Sequence, residues 1–184
     1  MPFESDWAFL RTALPDLQEY ILSSDLYYPL RASGGVRIPQ LTLGNLLLSQ
    51  TRLMALSLDK QRTAELASIS QRINDIRSEW RTNWGIKAGR EFGSRLNLWQ
   101  QYIRELRSDP RQQANYYATE VRNRAILRLL RPELTEPVPN DEEDLQAMLD
   151  QILRGLTKPG PFVWEPELAG GFPAEGFWFL YVTL

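Results

Sequence analysis

The feature that most constrains this chain is an apolar stripe that holds helical phase for 40 residues. Leu66, Ile69, Ile73, Ile76, Trp80, Trp84, Ala88, Phe92, Leu96, Trp99, Ile103 and Leu106 follow one another at steps of three or four. The mean step is close to the ~3.6 residues per turn of a straight α-helix, and an intervening loop would have no reason to preserve the phase. The spacing predicts one long helix from about Asp59 to Arg107, roughly 70 Å at ~1.5 Å per residue. Gly85, Gly89 and Gly93 oppose it, because each glycine in a helix interior costs ~1 kcal/mol relative to alanine. They recur every fourth residue, however, and so share a face of a continuous helix. The expectation is a helix that continues or bends near Gly85, ahead of a real break there, with the glycines marking a hinge or the close approach of another element. A membrane dimerisation face is excluded, since Lys87, Arg90 and Glu91 interrupt the stripe.

The flanking segments also read as helices. Phe3, Trp7, Leu10, Leu14, Leu17 and Ile21 carry helical spacing after the cap-type residues Ser5 and Asp6. Pro15 is expected to kink or restart this helix, because proline lacks the backbone donor and crowds the preceding turn. Thr42 and Asp59 are N-cap candidates for the next two segments, and Asp109-Pro110 is a stop followed by a restart. Pro132 to Pro139 is a linker, after which Asn140 to Glu143 reads as a capping box with acids in the first turn. Ser33-Gly34-Gly35, between Leu26–Leu30 and Val36–Ile38, suggests a small hairpin or an ordered loop. Residues 159–184 are rich in proline and glycine, and Phe162–Trp164 and Phe177–Val182 read as strands. The expected fold is therefore one mainly α domain over 1–184. It is a helical bundle around one long, bendable helix, with a small antiparallel β element from the C-terminal tail. A 70 Å helix exceeds the span of a compact domain of this length, which favours a bend, a protrusion or a homodimer.

Composition narrows the chemistry. The chain has no histidine and no cysteine, which removes the usual general base, zinc ligands and thiolate nucleophiles. Ser/His/Asp and Cys/His arrangements cannot be built, and any metal would need oxygen ligands. No cofactor or metal site is expected. The cluster Asp141-Glu142-Glu143-Asp144 lacks the spacing of a calcium loop and reads as helix capping. Absent a long apolar run or a basic, apolar leader, the expectation is a cytoplasmic protein without a membrane span.

Charge is unevenly distributed. Residues 60–131 hold 15 basic against 7 acidic side chains, whereas 132–184 hold 2 against 10. Internal complementarity between the two segments is the favoured expectation, ahead of a basic surface for nucleic acid. Arginines lying near Trp80, Trp84, Trp99, Tyr102 and Tyr116 leave nucleic-acid binding as an alternative, but no nucleic-acid-binding motif accompanies them. Pairs such as Glu91/Arg95 and Glu120/Arg124 are expected to form along helices. On the apolar stripe, Trp80 and Trp84 with Lys87, Glu91 and Arg95 form a candidate ligand or partner surface, with core packing as the default for the tryptophans. The function expected is a non-enzymatic protein-interaction or scaffolding module, ahead of a nucleic-acid binder and of an enzyme or small-ligand binder with a Trp-lined pocket.

Overall fold

The computed structural model describes residues 3–30 and 37–184. Its main elements are α1 (Glu4–Leu22), α2 (Leu43–Met54), α3 (Lys60–Glu79), α4 (Arg81–Ser108), α5 (Pro110–Gln113), α6 (Tyr117–Leu130), α7 (Asn140–Leu156) and α8 (Ala174–Phe177). Two short strands, β1 (Lys158–Pro159) and β2 (Val182–Thr183), pair antiparallel. The fold is thus a mainly α bundle with a small C-terminal hairpin.

The apolar stripe is the axis of the core. Eleven of its twelve members are buried, from Leu66 to Leu106, with Trp80 part-exposed. The stripe does not follow one straight helix, however. Trp80 leaves helical geometry, at φ −111° and ψ 37°, and separates α3 from α4. Its N–H still donates to the Ile76 carbonyl and its carbonyl accepts from Trp84, so the phase of the stripe survives the bend. The expected bend near Gly85 is therefore displaced to Trp80, and α4 runs unbroken through Gly85, Gly89 and Gly93. At 28 residues α4 is roughly 42 Å long, close to the span of a compact domain this size. Length no longer calls for a second copy.

Three caps form as the sequence indicates. Thr42 Oγ1 accepts from the Asn45 N–H at 3.1 Å, Asp59 Oδ1 from Arg62 at 2.8 Å, and Asp109 Oδ1 from Gln112 at 3.1 Å. Two other expectations are corrected. α1 continues through Pro15 instead of restarting there, and it begins at Glu4 without a side-chain cap. Pro15 is exposed, while Trp7, Leu10, Leu17 and Ile21 on the inner face are buried; their burial holds the helix together across the missing donor. α7 likewise has acids in its first turn but no capping box, because Glu143 turns away to Arg131.

The C-terminal tail also departs from its expected form. Phe162–Trp164 is not a strand, and most of the Phe177–Val182 run is helical: α8 and a following 3-10 turn carry it as far as Leu180. Phe172 organises this region, with its ring centroid 5.2 Å from that of Trp164 and 5.1 Å from that of Phe177. Packing around an aromatic centre, not ladder pairing, buries Phe179 and Leu180. The Tyr117 hydroxyl donates to the Phe179 carbonyl at 2.6 Å and ties the tail to α6. Tyr28 and Leu41 form an isolated antiparallel bridge. The Ser33-Gly34-Gly35 turn and Val36 lie outside the described residues.

Charge complementarity between the basic middle and the acidic C-terminal third is visible contact by contact. Arg77 and Arg81 pair with Glu133, Arg124 with Asp150, and Arg131 with Glu143. Arg124 makes this contact in place of the expected helical pair with Glu120. Among the described residues, no helix is long and apolar enough to cross a membrane.

Candidate functional site

Of the five residues singled out on the stripe, four are engaged in internal contacts. Trp84 and Glu91 are fully sealed, at 0% exposure, so neither side chain can touch solvent or a solute. The Trp84 indole N–H donates to Glu133 Oε2 at 2.9 Å, and the same carboxylate receives Arg77 at 3.1 Å. Glu133 thereby clamps the two helices that meet at Trp80. The Trp80 indole N–H itself has no partner among the described residues.

Glu91 and Arg95, one turn apart on α4, form a buried ion pair at 3.0 Å. Glu91 Oε2 also accepts the Gly44 backbone N–H at 2.8 Å, satisfying an orphan donor at the start of α2. Arg95 extends the network to Asn123 Oδ1 at 3.1 Å and Thr42 Oγ1 at 3.2 Å. One salt bridge thus joins α2, α4 and α6. Removing water from two charges is costly, and the extra hydrogen bonds to Gly44, Asn123, Thr42 and Asn45 are what such a pair needs to be tolerated. Lys87 reaches the other way, donating to the carbonyls of Ser23 at 3.0 Å and Asp25 at 2.6 Å beyond the end of α1. Its ammonium sits 4.1 Å from the Tyr20 ring centroid. Burial pulls its pKa down to about 8, with Arg90 acting in the same direction and Asp25 against it.

What α4 presents outward is a groove. Its floor is the face of α4 carrying Gly85 and Gly89, and its far wall is the proline-bearing strap Leu134–Pro139, with Glu142 from the first turn of α7. The groove holds about 270 Å³. The three glycines do different things. A Cβ at Gly85 would lie 2.3 Å from Thr135, so the strap crosses there in direct contact with the helix backbone. A Cβ at Gly89 would meet nothing within 4 Å, which leaves bare helix as the open floor. At Gly93 the nearest atom is Glu142 Oε1 at 3.2 Å. Ile86 stands at the edge, more than half exposed. Desolvation, with Asp141 beside it, raises the pKa of Glu142 above the usual carboxylate range.

The close-approach reading of the glycines therefore holds at Gly85, while Gly89 and its surroundings form a cleft that periodicity did not announce. The strap's prolines were the available signal, since they mark an extended segment able to lie along a helix. Nothing in the sequence pointed to Glu133. Among the described residues, no group of three or more His, Cys, Asp or Glu side chains is placed to hold a metal. No protein-family model matches this chain, and no curated protein and no solved structure is similar enough to count as a relative.

Proposed function

We propose that this chain is a protein-interaction module that takes an extended segment of a partner protein into the groove between α4 and the Leu134–Pro139 strap. The observation that carries the reading is the open floor at Gly89, where helix backbone is exposed between apolar walls from Phe92, Val138 and the strap prolines. Solvent-facing helix positions seldom need glycine, which costs ~1 kcal/mol there, so a bare floor is best accounted for by something that lies on it.

The size of the groove favours an extended occupant. Along α4 the groove is lined from Gly85, where the strap closes it, to Phe92, roughly 10 Å or about three residues of extended chain. An α-helix, ~10–12 Å across, is too wide for a cleft of about 270 Å³. The rim carries Arg90 on the α4 side and Glu136 and Glu142 on the strap side. A segment with one or two apolar anchors and charges of both signs beside them complements it.

The test is selection of displayed random 12-residue peptides on the parent protein, scored against Gly89→Leu, which fills the floor without meeting any neighbour at its Cβ. Apolar-anchored peptides that bind the parent and lose affinity at least tenfold on the variant are expected. Binders retained equally by a folded Gly89→Leu protein would overturn the reading.

A further inference from the structure

Among the described residues, six of the thirteen arginines between 60 and 131 pair with carboxylates, and of the seven that do not, Arg122 on α6 is the one that is not exposed. Arg124, two residues later, pairs with Asp150, and Arg131 pairs with Glu143. Among the described residues Arg122 makes no ion pair and no side-chain hydrogen bond, although it is only part-exposed. It borders a polar cleft of about 380 Å³ whose wall also includes Arg37, Arg52, Asp6, Ser5 and Ser49. This cleft shares no residue with the groove on α4.

The charges within the cleft do not cancel. Asp6 is fully committed, accepting from Arg52 Nε at 3.0 Å and from the Ser49 hydroxyl at 2.8 Å. Arg52 is further shared with Glu165 at 3.7 Å. Arg37 and Arg122 face the same space, and among the described residues neither is within ion-pair distance of a carboxylate, although Asp6 and Glu165 lie close enough to act on Arg122. Ser5 brings in the first turn of α1, which has no side-chain cap and whose leading N–H groups have no intrahelical acceptors. Burial lowers the Arg122 pKa below the ordinary arginine range, with Arg52 adding to the effect and Asp6 and Glu165 opposing it, yet a guanidinium stays protonated throughout the physiological range. A desolvated cation held this way is stabilised by an anion arriving from outside.

We propose that the cleft between α1, α2 and α6 binds the phosphate of a small phosphomonoester, with Arg122 and Arg37 as its two cationic ligands and Arg52 positioned behind them by Asp6. Two unmatched guanidinium groups balance the ~1.5–2 negative charges that a phosphomonoester carries at neutral pH. The planar fork of arginine matches phosphate oxygens two at a time. At about 380 Å³ the cleft falls within the ~300–1,000 Å³ range of small-molecule sites, leaving room for an organic group beyond the phosphate.

The proposal is tested by calorimetric titration of the parent protein, Arg122→Gln, Arg37→Gln and the distant control Arg104→Gln. The probes are inorganic phosphate, phenyl phosphate and benzoate, with ionic strength held constant by chloride. Saturable one-site binding of both phosphates to the parent is expected, with phenyl phosphate the tighter and benzoate at least tenfold weaker. Arg122→Gln should weaken phosphate at least tenfold and Arg37→Gln severalfold, while Arg104→Gln leaves it unchanged. Arg37 is exposed, so its variant keeps the test decisive even if the Arg122 variant fails to fold. Absence of saturable phosphate binding to the parent, or equal affinity in Arg37→Gln and Arg104→Gln, would overturn the proposal. Inorganic phosphate binding without any gain from the phenyl group would restrict the site to the free ion and overturn the monoester assignment.

Discussion

Glu91 Oε2 accepts the backbone N–H of Gly44 at 2.8 Å across 47 residues of sequence, so a carboxylate in the middle of α4 completes the first turn of α2. The contact needs a glycine. A Cβ at position 44 would lie 2.2 Å from Ile126 Cγ2 and 2.5 Å from Glu91 Oε1. Gly44→Ala is therefore expected to destabilise the protein by ~1–3 kcal/mol despite alanine's better helix propensity, as read from chemical denaturation.

The glycine face of α4 yields a contrast within a single helix. Gly85→Ala forces a methyl against Thr135 and should cost ~1–3 kcal/mol. Gly89→Ala meets nothing and should add up to ~1 kcal/mol of stability. Thermal melts of the two single variants, moving in opposite directions, would establish both the unbroken helix and the strap's crossing point. Equal shifts would contradict both.

Pro15 offers a third measurement. It sits in the interior of α1 on the exposed side, where it removes a hydrogen bond without contributing to the core. Pro15→Ala should raise the melting temperature, by less than the ~3 kcal/mol propensity difference because alanine also loosens the unfolded chain. A fall in stability would mean that the proline ring packs in a way its exposure does not reveal.

How far the sequence carried depends on which physical rule governed each element. The stripe from Leu66 to Leu106 was legible because burial of one helix face leaves a periodic trace, and the caps at Thr42, Asp59 and Asp109 because capping chemistry is local. The break at Trp80 left no such trace. It preserves the phase, and the carboxylate that clamps it, Glu133, comes from the other side of α4 and α6 in sequence. Pro15 and the Phe177–Val182 run misled for one shared reason: a local preference was outweighed by burial against distant residues. The candidate residues Trp84, Lys87, Glu91 and Arg95 turn to different internal partners, because whether a charged side chain points to solvent or to Gly44 depends on contacts that spacing does not encode. The cleft around Arg122 was invisible for the same reason, since it draws on four separate segments.

Stability should also respond to alkaline pH with a definite sign. Burial holds the Tyr20, Tyr102 and Tyr117 hydroxyls above the ordinary tyrosine range. Unfolded tyrosines ionise near ~10, so the unfolded state sheds these protons first, and stability falls as pH rises above ~10. Lys87 acts oppositely. Its folded pKa of about 8 lies below the ~10.4 of a free lysine, so its contribution rises between those values. Urea unfolding is expected to show level or slightly rising stability from pH 8 to ~10, then a decline. Tyr117→Phe should lose ~1 kcal/mol at neutral pH, with its hydrogen bond to Phe179, and decline less steeply above ~10. A steady fall through pH 8 to 10 would contradict the Lys87 assignment.

Lys87, Glu91 and Arg95 of α4 act as structural ties to neighbouring elements rather than as a solvent-facing site. Equilibrium urea unfolding of Glu91→Gln at pH 7 tests this role most directly. The substitution keeps the shape and the acceptor for Gly44 but leaves Arg95 as a buried cation without its counter-charge. A loss of ~3 kcal/mol or more is expected, as for other buried pairs broken on one side; stability within ~0.5 kcal/mol of the parent would contradict the account.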